Sequence, residues 1–308
     1  MATVKPTLTR DWEQTFREWS KPSSDSEQQR MENAERMIRE AIRESKALSN
    51  VTVEVFAQGS YRNNTNVRQD SDVDICVRCM STLFDDYSMS NDLTRADTGL
   101  VPSNYHYATF KQQVLEALET KFGKAGVRRG KKAIDIHANS YRVDADVVPT
   151  FEHRRYLRSE SGQIWYQSGT EFWCDDGRRI INWPNQHYEN GVQKNIATKN
   201  RYKFITRAIK RMRNEMAEVG IEAAKPIPSY LIECLVWNVP NPGFGHDRYV
   251  DDVRYVLAHT INFTLKDSEC AELGEVNELK YLFHAAQPWN RVQVHSFLSA
   301  AWDYVGFE

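Results

Sequence analysis

No stretch of this sequence approaches the roughly 18 consecutive apolar residues that a membrane span requires. The opening MATVKPTLTRDWEQ also lacks the apolar core of a secretion signal, so a cytoplasmic protein is expected. Neither sign of charge is in excess: 40 Lys and Arg stand against 42 Asp and Glu, a net charge of -2. That balance excludes a global positive field able to hold a long duplex non-specifically, so any nucleic-acid contact needs a local patch. Cysteine is sparse and odd in number, with Cys76, Cys79, Cys174, Cys234 and Cys270 spread over 308 residues, which fits reduced thiols rather than a disulfide framework. Cys76 and Cys79 form a C-x-x-C inside the apolar run ICVRC, where odd spacing sends the two side chains to opposite faces; no second Cys/His pair stands at ligand spacing. Only 14 Gly and 10 Pro are present, with no internal repeat, which excludes collagen-like and low-complexity chains.

What is present reads as a soluble chain with 41% hydrophobic and 11% aromatic residues, long enough for one large or two closely packed domains. Ser24 and Glu27 have capping-box spacing, and Met31, Ala34, Ile38, Ala41, Ile42 and Leu48 fall near one face, which predicts a helix from about 26 to 48. Alternation in VTVEVFA predicts a strand over 51–57, ending at Gln58-Gly59-Ser60, and a second strand resumes at Asp72-Val73-Asp74-Ile75-Cys76-Val77. Residues 84–104 read as irregular. Phe110, Val114, Leu118 and Phe122 predict a helix near 107–122, and KFGKAGVRRGKK carries six cations and no acid, either a solvated loop or a rim that meets phosphate. Residues 133–137 and 141–148 read as strands of a hairpin around Asn139-Ser140, with Asp144 and Asp146 sharing one face of the second. Beyond Pro149, residues 151–195 are aromatic, polar and turn-rich. Helical patterning returns near Thr198, restarts at Ser229 after Lys225-Pro226-Ile227-Pro228, and continues in amphipathic segments at 248–262, 269–284 and 291–303.

Asp72 and Asp74 lie two apart on a predicted strand, so both carboxylates leave one face roughly 6–7 Å apart. Close anionic pairs are tolerated when solvated or when a cation shares them, and hard divalent ions bind through one or two carboxylates with phosphate oxygens. A third carboxylate on a neighbouring strand would complete a two-ion site, and Asp146, with Asp144 as the competing register, is the candidate. Gly59-Ser60, twelve residues before this pair, offers a turn whose backbone N–H groups and hydroxyl can meet phosphate.

In this order and spacing, Gln58-Gly59-Ser60-Tyr61, Thr65 and Ser71-Asp72-Val73-Asp74 resemble the nucleotidyltransferase signature of the polymerase-β-like superfamily, in the form used by 2′-5′-oligoadenylate synthetases and cGAS/DncV-like enzymes. Ala145-Asp146-Val147-Val148-Pro149 resembles the strand bearing their third metal-binding Asp, because that residue precedes two apolar residues and often a proline. Ala208-Ile209-Lys210 and Pro228-Ser229-Tyr230-Leu231 are similar to the helix lysine, the polar residue at the next helix start and the adjoining tyrosine. The resemblance implies that Lys210 and Ser229 hold the donor triphosphate and that Tyr230 stacks on its base, which suits a point charge, a helix N-terminus and an aromatic face. Between Lys194 and Arg213 stand eight cations and no acid, a charge that two NTPs would offset. Ile180-Ile181-Asn182-Trp183-Pro184 and the following Asn185-Gln186-His187-Tyr188-Glu189-Asn190-Gly191 look most like bacterial CdnE-type enzymes, in which an Asn here, placed at Asn182, favours uridine; an amide can equally cap a turn.

The resemblance therefore implies an α+β fold: a polymerase-β-like mixed sheet core, residues 1–195, and a helical oligoadenylate-synthetase-like domain, residues 196–308, as two lobes around a cleft. Asp72, Asp74 and Asp146 would hold two Mg²⁺ ions, with Mn²⁺ able to substitute. The implied activity joins two NTPs, ATP with UTP as the leading pair, into a cyclic dinucleotide for antiphage signalling. A monomer is expected, its product read by a downstream effector, with no membrane or long nucleic acid required. No Zn-ribbon-like Cys/His insertion is present, which disfavours activation by duplex DNA. Two rivals remain: template-independent nucleotide addition to an RNA end or a protein, and a catalytically silent nucleotide sensor.

Overall fold

The computed structural model describes residues 10–67, 72–90 and 92–308; Ser71 of the Ser-Asp-Val-Asp run lies outside the described residues. Helix α1 (Trp12–Trp19) is capped by Asp11, which accepts from the Gln14 N–H at 3.0 Å. Ser24 caps α2 (Asp25–Glu44) as its spacing predicts, accepting from the Glu27 N–H at 3.3 Å. Strand β1 (Val53–Ala57) leads into a one-turn helix, α3 (Gly59–Arg62), and the chain returns as β2 (Val73–Asp86). After α4 (Arg95–Thr98) and α5 (Tyr107–Phe122) come β3 (Val127–Arg129), β4 (Ile134–Ile136), β5 (Ala145–Arg158), β6 (Ile164–Trp173) and β7 (Arg179–Asn182). The rest is helical: α6 (Pro184–Ala197), α7 (Arg201–Glu218), α8 (Ser229–Trp237), α9 (Tyr249–Phe263), α10 (Asp267–Cys270) and α11 (Arg291–Val305).

The chain divides into two compact units, one of Ser24–Tyr61 and Ser71–Pro184, the other of Met1–Ser23, Arg62–Asp70 and Asn185–Glu308. The first holds a mixed sheet in the order β1-β2-β5-β4-β3, extended by β6 on β5 and β7 on β6. β2 and β5 run parallel; the other pairs are antiparallel. Val73, Ile75, Val77 and Cys79 of β2, Ile134 and Ile136 of β4, and Ala145 and Val147 of β5 point into one core with Ile38 of α2 and Phe110 and Leu118 of α5. Period-two alternation therefore sends Asp74, Cys76, Asp135 and Asp146 to the opposite face. Cys76 and Cys79 point to opposite faces, and all five cysteines are free.

The second unit packs α1, α7, α8, α9 and α11 around Phe16, Ile205, Met212, Leu235, Leu257 and Phe297. Among the described residues no helix is long and apolar enough to cross a membrane.

Three expectations are corrected. The apparent change of character at Pro149 is no break, because β5 runs on to Arg158 and the turn-rich segment contains β6, β7 and most of α6. Pro149 pairs with Val77, and the β4 partners end at Val147 while the β6 partners begin at Phe151, so the missing N–H falls in a gap between two ladders. Residues 84–104 begin as strand, since β2 continues to Asp86 past an irregularity between Cys79 and Leu83. Residues 269–284 form no amphipathic helix; beyond Cys270 they are turns and an isolated bridge between Gly274 and Tyr281.

Candidate active site

The sheet unit places Asp74 and Asp146 directly opposite each other in the parallel β2·β5 pair. Directly paired neighbours share a face, so both carboxylates project away from the core of α2 and α5. Asp72 lies one residue before β2 and is exposed. Burial first, then the negative charges of Asp146 and Asp72, push the Asp74 carboxyl up to about 7. Burial and the neighbouring Asp135 and Asp72 likewise raise Asp146, with Arg128 opposing.

Asp144, the competing register, precedes β5, is exposed, and uses its carboxylate to accept the Ala138 N–H at 2.7 Å. The same loop is gripped by α2, where the Asn33 amide donates to the Tyr141 carbonyl at 3.0 Å and Arg30 donates to the Asn139 and Arg142 carbonyls. Asp144 is thereby a loop residue, and Asp146 is the one facing Asp74.

Sequence reasoning missed Asp135. It pairs with Asp146 across β4·β5, which sets Asp74, Asp146 and Asp135 in a row over three strands, and Arg128 holds its outer side at 2.7–2.8 Å. Alternation in Ile134-Asp135-Ile136 was the available signal. The basic segment that reads as a loop contains β3, and its Arg128 is spent on this row.

Gly59 is set by the same carboxylates. Its φ of +64° is in the left-handed region, and a Cβ there would lie 2.3 Å from the Asp74 Oδ2. No side chain fits that approach without displacing the carboxylate. Gln58 donates its backbone N–H to the Asp74 carbonyl at 2.8 Å, and Ser60, half-buried, makes no side-chain hydrogen bond to a described residue. Asn182 ends β7 opposite Thr170, and its carbonyl is approached by the Thr170 hydroxyl at 3.4 Å. The Asn182 amide has no hydrogen-bond partner among the described residues, while Trp183 is buried against Gly169 and His153.

The helical unit carries Lys210, Ser229 and Tyr230. Lys210 is 1% exposed, and its ammonium donates to Glu233 Oε2 at 3.0 Å, the Thr65 carbonyl at 3.1 Å and the Thr65 hydroxyl at 3.2 Å. The counter-anion that the cation-rich segment lacks locally comes from α8, so this charge is already met inside the protein. Lys203, two turns earlier and half-buried, donates its backbone N–H to Asn195 at 3.2 Å, while its ammonium makes no hydrogen bond or ion pair with a described residue and lies 5.9 Å from the Tyr188 ring. Burial lowers its pKa, with Glu233 opposing and Arg207 adding to the shift. Ser229 opens α8 as its sequence predicts, and its hydroxyl accepts from Arg213 at 2.5 Å, a guanidinium that sequence reasoning passed over. Tyr230 keeps 36% of its surface exposed, its ring 5.6 Å from His187 and its hydroxyl donating to Glu275 at 2.7 Å.

The donor set of Asp72, Asp74 and Asp146 is all carboxylate oxygen, which suits hard divalent cations, and the elevated Asp74 carboxyl marks negative charge that a cation would offset. Among the described residues no three acidic, His or Cys side chains converge closely enough to hold an ion as they stand. Like-charged carboxylates repel, which favours their standing apart.

A family model described as the cGAS/DncV-like nucleotidyltransferase C-terminal helical domain matches residues 189–306. A cyclic dipyrimidine nucleotide synthase CdnE from Legionella pneumophila is 51% identical over 296 residues, 96% of this chain and 98% of that protein. Another of the same name, from Cecembia lonarensis, is 43% identical over 94% of this chain and 96% of its own length. The solved structure of Rhodothermus marinus CdnE c-UMP-AMP synthase with Apcpp and Upnpp superposes with a TM-score of 0.82 at 30% identity, covering 96% of this chain and 97% of that one. The α+β architecture, mixed sheet plus helical C-terminal part, is thus the polymerase-β-like nucleotidyltransferase fold. With likeness along nearly the whole chain, the protein belongs to the cGAS/DncV-like nucleotidyltransferases, among the cyclic dinucleotide synthases of the CdnE type.

Proposed function

We propose that this cyclic dinucleotide synthase joins two pyrimidine nucleotides, with UTP as a substrate, using two Mg²⁺ ions held by Asp72, Asp74 and Asp146. The observation that carries the chemistry is the direct pairing of Asp74 with Asp146 on the sheet face away from the helices. When bound, the ions would supply Lewis-acid chemistry, lowering the pKa of the acceptor hydroxyl and offsetting charge on the departing pyrophosphate.

The protein's own groups divide the remaining work. The Asp146 carboxylate accepts the proton of the attacking ribose hydroxyl. Gly59 leaves room for backbone N–H groups, and the Ser60 hydroxyl, without a partner among the described residues, donates to phosphate. Lys203, rather than the internally paired Lys210, supplies a cation to the triphosphate, and the Ser229 hydroxyl, held by Arg213, supplies a further hydrogen bond. Tyr230 offers its exposed ring to the base. Each transfer forms one phosphodiester P–O bond and releases one pyrophosphate; the linear intermediate then presents its second hydroxyl, and the next attack closes the ring.

The choice of pyrimidines rests on two supports: the names of the Legionella and Cecembia relatives, and the Asn182 amide, whose donor and acceptor meet no partner among the described residues and match the edge of uracil. A ring of uridine and adenosine is the second reading, favoured by the Rhodothermus structural neighbour. By the same family resemblance, the ring signals in antiphage defence and is read by an effector protein. Incubation with all four NTPs and Mg²⁺, without any acceptor, followed by mass spectrometry and nuclease digestion tests the proposal. A phosphatase-resistant cyclic product rich in uridine is expected; no cyclic product here, with nucleotide addition only in a parallel reaction supplied with RNA or protein, would overturn it.

A further inference from the structure

Glu233 of α8 is 3% exposed and carries four side-chain partners. Its Oε2 accepts from the Thr65 hydroxyl at 2.6 Å and from Lys210 at 3.0 Å. Its Oε1 faces the His187 Nε2 at 2.9 Å and the Asn63 amide at 3.3 Å. Burying a carboxylate and an ammonium together is costly unless every remaining lone pair and proton is satisfied, and a well-packed apolar pair fills such a space as well. The identity of the partners gives this network its meaning.

Asn63 and Thr65 belong to the connector that leads along the chain from the Gly59-Ser60 turn to Asp72. Residues 63–67 of that connector are held in the helical unit: Thr65 is 0% and Val67 1% exposed, and Arg207 donates to the carbonyl of Asn64, a non-glycine residue at φ +52°. Asn is the non-glycine residue that takes a positive φ most readily, which suits it to this bend. The remaining partner, His187, is buried, and its ring lies 5.6 Å from that of Tyr230 at an interplanar angle of 33°. With Glu233 accepting, the imidazole carries its proton on Nε2, which fixes both tautomer and ring orientation. One carboxylate therefore sets the backbone of the connector and the imidazole beside the exposed tyrosine.

We infer that Glu233 is a positioning residue for the transfer reaction, with Lys210 and Thr65 as its clamps on the connector and His187 as its link to the Tyr230 ring. The inference rests on the reading of Tyr230 as the base platform and assigns Lys210 to alignment rather than to phosphate contact.

The test uses the full-length protein, with UTP and ATP as substrates and Apcpp and Upnpp as binding probes. Thr65→Val keeps the shape of a fully buried side chain while deleting the hydroxyl; the melting temperature is expected to fall with the lost partner of Glu233 and Lys210 while the protein stays folded, and kcat is expected to fall about tenfold. Thr65→Ser restores the hydroxyl and is expected to recover most of the loss. Glu233→Gln with Lys210→Met removes both buried charges together and is expected to raise the nucleotide KM about tenfold through the freed His187. If the Val and Ser variants match each other in kcat, or if both designs shift only the melting temperature and leave kcat and KM at parental values, the positioning role is overturned. Tyr230→Ala separates the two claims: unchanged probe affinity there would remove the platform reading and this inference with it, whereas weakened affinity beside unaffected Thr65 and Glu233 variants would remove the inference alone.

Discussion

Asp74 and Asp146 face each other across the parallel strands β2 and β5, and the Gly59 backbone crosses so close to Asp74 that a single added methyl group would overlap its carboxylate. Two consequences follow from so much negative charge held in a partly dry place. The site is unfavourable to itself without a cation, and it is intolerant of bulk on the approaching turn.

The first consequence is a pH dependence with a definite sign. An Asp raised to about 7 in the folded protein, against its ordinary 3.8, binds a proton more tightly folded than unfolded. Stability of the metal-free protein is therefore expected to fall as pH rises from about 4 to about 7 on this account, and to level off above. Thermal melting in a chelator across that range checks it, with Asp74→Asn expected to flatten the slope. At pH 8, added Mg²⁺ is expected to raise the melting temperature of the parent protein and leave Asp74→Asn unmoved.

Gly59→Ala is expected to be damaging twice over. The left-handed φ costs about 1 kcal/mol for a residue with a Cβ, and the 2.3 Å overlap with Asp74 forces either the turn or the carboxylate to shift. Product formation is expected to fall at least a hundredfold, while circular dichroism reports a folded protein.

Lys203 and Lys210 are expected to respond differently to alanine. Lys210→Ala leaves Glu233 buried without its cation and is expected to cost about 3–5 kcal/mol of stability. Lys203→Ala removes a half-buried cation that no described residue pairs, so stability is expected to hold while the KM for NTP rises about tenfold. Denaturant unfolding together with steady-state kinetics distinguishes the two.

Asn182→Ala is expected to broaden the choice of base without unfolding β7, because the strand uses the backbone of that residue and leaves its amide free. Competition between UTP and CTP or ATP, read as product ratios by mass spectrometry, checks it. Loss of discrimination of about tenfold corresponds to one hydrogen-bonded edge.

Much of the fold was legible from residue order, where its parts are local. The capped start of α2, the Tyr107–Phe122 helix and the Ser229 helix start all follow from spacing and end signals that depend on near neighbours. The carboxylate row was half legible: Asp72 and Asp74 announce themselves by alternation, and Asp146 through family likeness, but Asp135 joins only through the β4·β5 register. The burial of Lys210 was hidden for a similar reason. A run of cations looks exposed when no acid stands nearby in sequence, yet its counter-charge, Glu233, arrives from another helix 23 residues away. Pro149 misled in the opposite direction, since a proline stops a strand only where its N–H is needed.

The most direct test of the whole account compares Asp146→Asn with Asp144→Asn. Both are substituted in the full chain, incubated with the four NTPs and Mg²⁺, and the cyclic product is quantified by mass spectrometry. The account predicts at least a thousandfold loss for Asp146→Asn and nearly full yield for Asp144→Asn, whose carboxylate only closes a loop onto Ala138. Retained synthesis by Asp146→Asn, or abolition by Asp144→Asn in a folded protein, would contradict it.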